Sequence, residues 1–465
     1  AGMRALNFGQ DVGRQAANAI RKSRVLGLDE AHQRVAGACR VYQMRLTDGS
    51  DLSKVRSLLQ STAKMPTQMS LATFLADTAL YGRMPWDIKF QVDRIARGGY
   101  LSPSKTFDLM PAIYRLWEAK GTDPVASALR KLVRRLPVPG PDTFKRYTIK
   151  SLEAELLELA DSYDYYAPDN PYEIVKRYQH INLVHRVVIT PTGVYLEGPD
   201  PEPTNRVLRR YANHTDHFIR VVLTDEDGGS VRYDPRASQK AVYDGRFRAL
   251  LDQRILIAGR GFDFFGFANS ALRAHSCWFM APLVDGGTLF FASMVLKALG
   301  DFEKIRVPAK CAARIGQNFT DTNDTVDLLP ESVGELPIVQ RNGYDFGDGV
   351  GTISRDVLVK VWRVYGTRRL LKPTALQIRF QGAKGMVALD SRLKGEQMLL
   401  RSNMKKFETE ISWKLEICGA AFKPLPMFLN RQLIKILEDL SVPSQAFFGL
   451  QDAATSRLRY MTESP

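Results

Sequence analysis

The chain has little cysteine and none of the short motifs that mark the common hydrolytic and nucleotide chemistries. Its four cysteines, Cys39, Cys277, Cys311 and Cys418, lie far apart with no C-x-x-C pair. They read as buried free thiols in a reducing compartment, nucleus or cytoplasm, and exclude a disulfide framework. No G-x-S-x-G, Walker A loop or H-E-x-x-H occurs, so hydrolase-elbow, P-loop and zincin mechanisms have no support. No apolar run nears the length of a membrane span, since the longest are broken by Arg, Asp or Gly; no membrane partner is expected. Internal repeats and low-complexity tracts are absent as well.

What the sequence does have is globular composition and positive charge. A chain of 52.3 kDa with 45% hydrophobic and 10% aromatic residues buries more than one ordinary core, so several domains are expected. Sixty-five Lys and Arg against fifty Asp and Glu give a net charge of +15. That balance favours a polyanionic partner, and nucleic acid is the commonest one.

Residues 1–170 read as mostly helical. Ser50–Gln60 and Ser70–Tyr81 each open on a capping-type Ser and repeat apolar residues at helical spacing. Val125–Leu136 is an amphipathic basic helix stopped by the linker-like P-V-P-G-P at Pro137–Pro141, and an acidic-faced helix follows from Ser151. From about Ile181 the pattern turns to strands. One hairpin is expected with its turn at Pro191–Gly193 and a second with its turn at Asp225–Gly229. Helices are expected at Val242–Leu251, Gly287–Leu299, Ser354–Tyr365 and Leu429–Leu440, with strands dominating from Thr374 to Ile417.

Basic residues are bunched as Arg130/Lys131/Arg134/Arg135, Arg206/Arg209/Arg210, Arg363/Arg368/Arg369/Lys372 and Arg401/Lys405/Lys406. Several adjoin Tyr or Phe, as a groove that grips phosphates and stacks bases requires. Each run also fits a plain solvated face. D-T-N-D-T-V-D spaces Asp321, Asp324 and Asp327 as a magnesium site would, and equally as a loop or helix cap. His214 and His217 lack further zinc ligands nearby in sequence. The glycine-rich F-G-D-G-V-G-T-I-S (Phe346–Ser354) leads into a helix whose N-terminus can hold phosphate, or it is a tight connection. In A-L-Q-I-R-F-Q-G-A-K-G-M-V-A-L-D and L-L-R-S-N-M-K-K-F, strands broken by glycine present Arg379, Lys384 and Lys406. That arrangement suits a polyphosphate, because glycine admits close backbone approach while the cations neutralise charge.

The order of these blocks resembles one family. D-G-V-G-T-I-S, F-Q-G-A-K-G-M-V-A-L-D and R-S-N-M-K-K-F follow I-L-I-A-G-R-G-F-D-F-F-G-F-A-N-S-A-L-R-A-H-S-C-W-F and A-A-R-I-G-Q-N-F-T, and precede L-N-R-Q-L-I-K-I-L-E-D-L. The series is similar to that of the eukaryotic cellular RNA-dependent RNA polymerases of RNA silencing, and it resembles the fungal quelling-type enzymes among them. The resemblance runs from about Pro171 to Gln451. It implies an α+β, multidomain chain: a helical head or support over 1–170, a mixed α/β slab over 171–337, and a double-psi β-barrel with a following helix over 338–465. It implies that Arg379, Lys384 and Lys406 contact the incoming triphosphate or a neighbouring RNA phosphate, with Arg273, Arg368, Arg369 and Lys405 as further RNA contacts. It implies nucleoside triphosphate substrates, magnesium, and a single-stranded RNA template, with DNA as a second template. The family's D-x-D-G-D loop, which holds the metal, is absent; D-E-D-G-G at Asp225–Gly229 is a superficial likeness. No catalytic or metal-binding residue is therefore expected here, and the aspartates belong to a downstream half of the protein or to a separate chain. A non-catalytic RNA-binding module and a structural subunit of a polymerase-like assembly remain as alternatives.

Overall fold

The computed structural model describes residues 79–463, apart from 102, 137–146, 168–169, 179, 192, 226, 234–238, 348, 367–369 and 424–427, together with the antiparallel pair β1 (Ile20–Arg21) and β2 (Gln43–Met44). The helix expected at Ser50–Gln60, most of that at Ser70–Tyr81, and the Pro137–Pro141 linker lie outside the described residues.

Helices come first: α1 (Ala79–Arg83), α2 (Trp86–Gly98), α3 (Pro103–Lys120), α4 (Thr122–Arg135) and α5 (Ile149–Asp161). In α4 the buried Val125, Ala128, Leu129 and Leu132 trace a single stripe, the spacing that one buried helix face requires. Helix α5 starts two residues earlier than its pattern suggests. Thr148 is the cap, and the backbone N–H groups of Ser151 and Thr148 donate reciprocally to each other's hydroxyls at 3.1 and 3.0 Å. Leu152, Leu156 and Leu159 then join the core formed with α3 and α4.

The next layer is a sheet flanked on both faces. It contains β3 (Ile181–Ile189), β4 (Val194–Pro203), β5 (Phe218–Leu223), β6 (Ile255–Ile257), β7 (Arg260–Gly266) and β8 (Ser276–Met280), in the order β4-β3-β5-β8-β7-β6. Its connections include α6 (Pro171–Arg177), α7 (Arg206–Arg210), α8 (Ala249–Asp252) and α9 (Asn269–Leu272). Strand alternation sends Ile219, Cys277 and Phe279 to one face, against Trp86 and Phe90 of α2. Phe218, Trp278 and Met280 go to the other, against α7. The first expected hairpin is β3–β4. The second is half present: Asp225 N–H donates to Gly229 O at 2.8 Å, but residues 230–233 form no return strand. Both edges of β5 are already used, by β3 in parallel and β8 in antiparallel register.

Gly286 and Gly287, with φ of 54° and 79°, turn a small hairpin of β9 (Leu283–Asp285) and β10 (Thr288–Phe290). Helix α10 (Ala292–Leu299) consequently begins five residues after the Gly287 start read from sequence. Helix α11 (Pro308–Ile315) leads to a seven-stranded mixed sheet. Its strands are β11 (Asn323–Asp327), β12 (Val333–Glu335), β15 (Val350–Ile353), β16 (Ala375–Phe380), β17 (Ala383–Leu389), β18 (Met398–Leu400) and β19 (Lys414–Ala420). A separate hairpin, β13 (Val339–Arg341) with β14 (Tyr344–Phe346), precedes β15. The sheet order is β11-β19-β16-β17-β15-β18-β12, antiparallel except for the pairs β15/β17 and β12/β18. Helix α12 (Arg355–Val364), capped by Ser354, buries Val357, Leu358 and Val361 against Ile353, Leu376 and Ile378. Residues 368–373 and 421–465 form a second unit, with α13 (Arg431–Asp439), capped by Asn430, and α14 (Ser444–Glu463).

The two sheets are joined by a buried ion network. Arg206, at the start of α7, forks onto Glu416 of β19, Nε to Oε1 at 2.9 Å and Nη2 to Oε2 at 3.1 Å. Its Nη1 donates to Asn318 Oδ1 at 3.1 Å and to Gln381 O at 2.9 Å. Arg209, one turn on, reaches Glu416 Oε1 at 2.9 Å and Thr322 Oγ1 at 2.8 Å, and also donates to Thr322 O. A basic run that reads as a phosphate groove or a solvated face is thus, for two of its three arginines, an internal clamp. Replacing Glu416 by Gln leaves these guanidinium groups without their counter-charge, which costs about 3–5 kcal/mol. Denaturant unfolding of Glu416→Gln reads this directly, and a loss below about 1 kcal/mol contradicts a clamp made by charge.

Candidate phosphate-binding cluster

The site is built on the β16–β17 hairpin. Phe380 pairs with Ala383 across a turn of Gln381 and Gly382, which makes Arg379 and Lys384 direct register partners on one face. A Cβ on Gly382 would lie 1.7 Å from Phe407 O, and Lys406 N–H donates to Gly382 O at 2.9 Å. The Phe407 ring is itself anchored 4.8 Å from that of Phe302. Burial of Phe407 therefore seats the Lys405–Lys406 segment over the hairpin turn. Gly385 likewise faces Gly349 O, 2.3 Å from where its Cβ would be, and Gly351 faces Leu399 O at 2.4 Å. These glycines admit neighbouring backbone, not an anion, so the sequence-based reading of their role is corrected.

The loop before α12 is also closed by protein. Ser354 Oγ accepts from Val357 N–H at 3.4 Å and from Gln397 N–H at 3.1 Å, and Ser354 has no exposed surface. A phosphate at that helix N-terminus would have to displace both.

Arg379, read from the sequence as a polar-facing cation, is buried. It is 5% exposed, its Nη1 donates to Ile378 O at 2.8 Å, and its Nε has no hydrogen-bond partner. Burial holds its pKa below the ordinary value, opposed by Cys418 and Glu416. Lys384, half-buried, makes no ion pair among the described residues. Its pKa is pulled down by burial first, then by Arg379, Arg314 and Lys406. Three cations thus press on a fourth. Lys406 adds a hydrogen bond from Nζ to Asn403 O. Arg314, on α11, is the member that reasoning from basic runs misses; it stands alone in A-A-R-I-G-Q-N-F-T, and only the fold brings it here. Cys418, half-buried, is the bulged residue of β19 between the Gln377–Gly419 and Ile378–Ile417 pairs, and its thiol pKa is raised by burial.

The other sequence candidates go elsewhere. Lys405 is exposed and pairs with Glu408 at 2.5 Å. Arg273 is exposed just after α9. Arg368 and Arg369 lie outside the described residues, as does Asp348. In the basic run on α4, Arg130 pairs with Asp200 at 2.7 Å and Arg135 with Glu158 at 3.3 Å. Asp324 faces His180 at 3.5 Å and Asp327 faces Lys414 at 3.1 Å, while Asp321 has its pKa raised by burial. His214 pairs with Asp285 at 3.5 Å, and His217 Nδ1 lies 2.8 Å from Pro282 O. Asp390 is held at about 2 by its fork with Arg392. Among the described residues no group of three His, Cys, Asp or Glu is placed to hold a metal, and no helix is long and apolar enough to cross a membrane.

Residues 189–465 match the family model for RNA dependent RNA polymerase, and residues 3–77 match that of a fungal RdRP associated PH-like domain. The chain belongs to the RNA-dependent RNA polymerase family. RNA-dependent RNA polymerase 1 of Arabidopsis thaliana is 37% identical over 292 residues, 61% of this chain and 26% of that one. RNA-dependent RNA polymerase 2 of the same plant is 27% identical over 406 residues, 84% of this chain and 34% of the other. RNA-dependent RNA polymerase 1 of Schizosaccharomyces pombe is 30% identical over 292 residues, 60% and 23% of the two chains. The chain therefore spans about a quarter to a third of the length of these relatives. Among solved structures, RNA dependent RNA polymerase QDE-1 from Thielavia terrestris is 18% identical, with a TM-score of 0.46 and coverage of 61% of this chain and 34% of that one.

The electrostatics predict that Lys384 loses its proton below the ordinary lysine value of about 10.4. The charged amine repels its cationic neighbours, so that repulsion is present below the Lys384 midpoint and fades as pH rises through it. Side-chain NMR titration of labelled lysine reads the midpoint; a value at or above the ordinary one contradicts the crowding of positive charge.

Proposed function

We propose that this chain supplies the nucleotide- and template-phosphate grip of an RNA-directed RNA polymerase that copies single-stranded RNA into double-stranded RNA for silencing. The observation that carries the reading is the buried Arg379, in no ion pair among the described residues and with its Nε unpartnered, beside Lys384, Lys406 and Arg314. Burying a cation without a counter-charge is unfavourable, and a polyphosphate is the ligand that relieves several such cations together. In this reading residues 1–170 form the head or support and 171–337 the slab. The region from 338 is read as a double-psi β-barrel, supported by the parallel pair β15/β17 between antiparallel neighbours.

Chemically, a 3′-hydroxyl oxygen, giving up its proton to water, bonds to the α-phosphorus as the bond from that phosphorus to the bridging oxygen breaks and pyrophosphate leaves. Arg379 and Lys384 orient the triphosphate for in-line attack and offset the charge growing on the leaving group. Lys406, fixed by the Phe407 anchor, holds the same anion or the adjoining RNA phosphate. The sequence has no D-x-D-G-D, and among the described residues no acidic group is placed to hold a catalytic magnesium; no step is assigned to the metal.

Two experiments test the reading. In the complete polymerase, Lys384→Ala or Lys406→Ala should lower nucleotide incorporation at least about tenfold while template affinity changes less. Equal loss of both contradicts a role in the reacting triphosphate. The 465-residue chain should bind single-stranded RNA with an affinity that falls steeply with salt, and should not incorporate nucleotides. Salt-independent or absent binding favours the scaffold alternative, and metal-dependent incorporation overturns the assignment of the aspartates to residues outside this chain.

A further inference from the structure

Glu416 is the register partner of Arg379 across β16 and β19, close enough for its charge to act on that guanidinium. An unneutralised buried arginine directly opposite a glutamate is an unusual arrangement, because the two would ordinarily pair. Here they do not. The Glu416 carboxylate is turned to Arg206, which takes both oxygens in a fork at 2.9 and 3.1 Å, and to Arg209, which takes Oε1 at 2.9 Å. Arg379 donates only to Ile378 O, and its Nε stays unpartnered. Arg206 does a second thing with the same guanidinium. Through Nη1 it donates to Gln381 O, the turn carbonyl two residues beyond Arg379, and to Asn318 Oδ1. The group that claims the carboxylate also fixes the hairpin that carries the free cations.

We propose that Arg206 and Arg209 are positioning residues that sequester Glu416, and by doing so keep Arg379 unpaired and available to a substrate phosphate. Without them the carboxylate swings to the nearest unsatisfied cation and fills the site from within. The proposal rests on the phosphate-binding reading above, and it adds that the site is kept open by competition for a single carboxylate. It accounts for the placing of two arginines on α7, one turn apart and both aimed at Glu416, where one would suffice to neutralise it.

The test is a double-mutant cycle read by calorimetric binding of inorganic triphosphate to the 465-residue chain. Arg206→Met should weaken binding roughly tenfold or more, the scale of removing one charge-assisted hydrogen bond from Arg379 to the anion. Glu416→Gln added to Arg206→Met should restore most of that affinity. In the wild-type background the same Glu416→Gln should gain clearly less, because there the carboxylate is already engaged. Equal gains in the two backgrounds mean that Glu416 acts only as a distant negative charge, and overturn the proposal. The phosphate-binding reading has its own control: if Arg379→Met leaves wild-type affinity unchanged, that reading fails, whatever the cycle shows. A crystal structure of Arg206→Met, or of Arg206→Lys if the first variant does not fold, reads the switch without any ligand. An Arg379–Glu416 ion pair supports sequestration, and an Arg379 still without a carboxylate partner overturns it.

Discussion

The fork of Arg206 on Glu416 is the contact on which the rest of the arrangement depends. It ties the first turn of α7, in the six-stranded sheet region, to β19 of the seven-stranded sheet. Through Gln381 O it also fixes the hairpin turn between β16 and β17. A buried ion pair of this kind adds little net stability over well-packed apolar groups, but it is costly to break, because whichever partner remains is an unsatisfied charge. Its contribution is to geometry: it sets the register in which the two sheets meet.

That register places the candidate chemistry at the seam. Phe407, buried against Phe302, carries Lys406 onto the hairpin turn, and Gly382 is the residue that allows the crossing. Arg314 comes from α11, on the six-stranded side of the seam, and Arg379 and Lys384 from the hairpin. Burial, Arg379, Arg314 and Lys406 all disfavour the charge on Lys384, and relief of that repulsion by an anion is the basis of the proposed function. The same argument explains why Asp390 and the Asp321–Asp327 run take no part. Asp324, Asp327 and Asp390 each have a basic partner of their own, and Asp321 forms an isolated antiparallel bridge with Asn205.

Much of this is legible in the sequence, and the misses have physical causes. The stripe in α4, the cap at Ser354 and the β3–β4 hairpin follow from local periodicity and turn chemistry, which the chain carries residue by residue. Arg379, Lys384 and Lys406 are readable from the series of family blocks; Arg379 and Lys384 are register partners, and the Lys406 backbone is bonded to the adjoining turn. Arg379 is expected at a polar face because strand alternation cannot tell a solvent face from a seam between two sheets. Arg206 and Arg209 read as a groove because their partner is more than two hundred residues away. Arg314 has no local signal beyond its family block. The glycines point to an anion because sequence records that backbone comes close at such positions, but not whose backbone it is. The return strand expected after the Asp225–Gly229 turn fails to form for a similar reason: the distant β8 has already claimed that edge of β5.

The most direct measurement of the central claim is a crystal structure of this chain with a non-hydrolysable nucleoside triphosphate. The account predicts phosphate oxygens within hydrogen-bonding distance, about 3 Å, of the Arg379 guanidinium and the Lys384 ammonium, with Glu416 still forked by Arg206. A triphosphate bound elsewhere, with Arg379 still unpartnered, contradicts it.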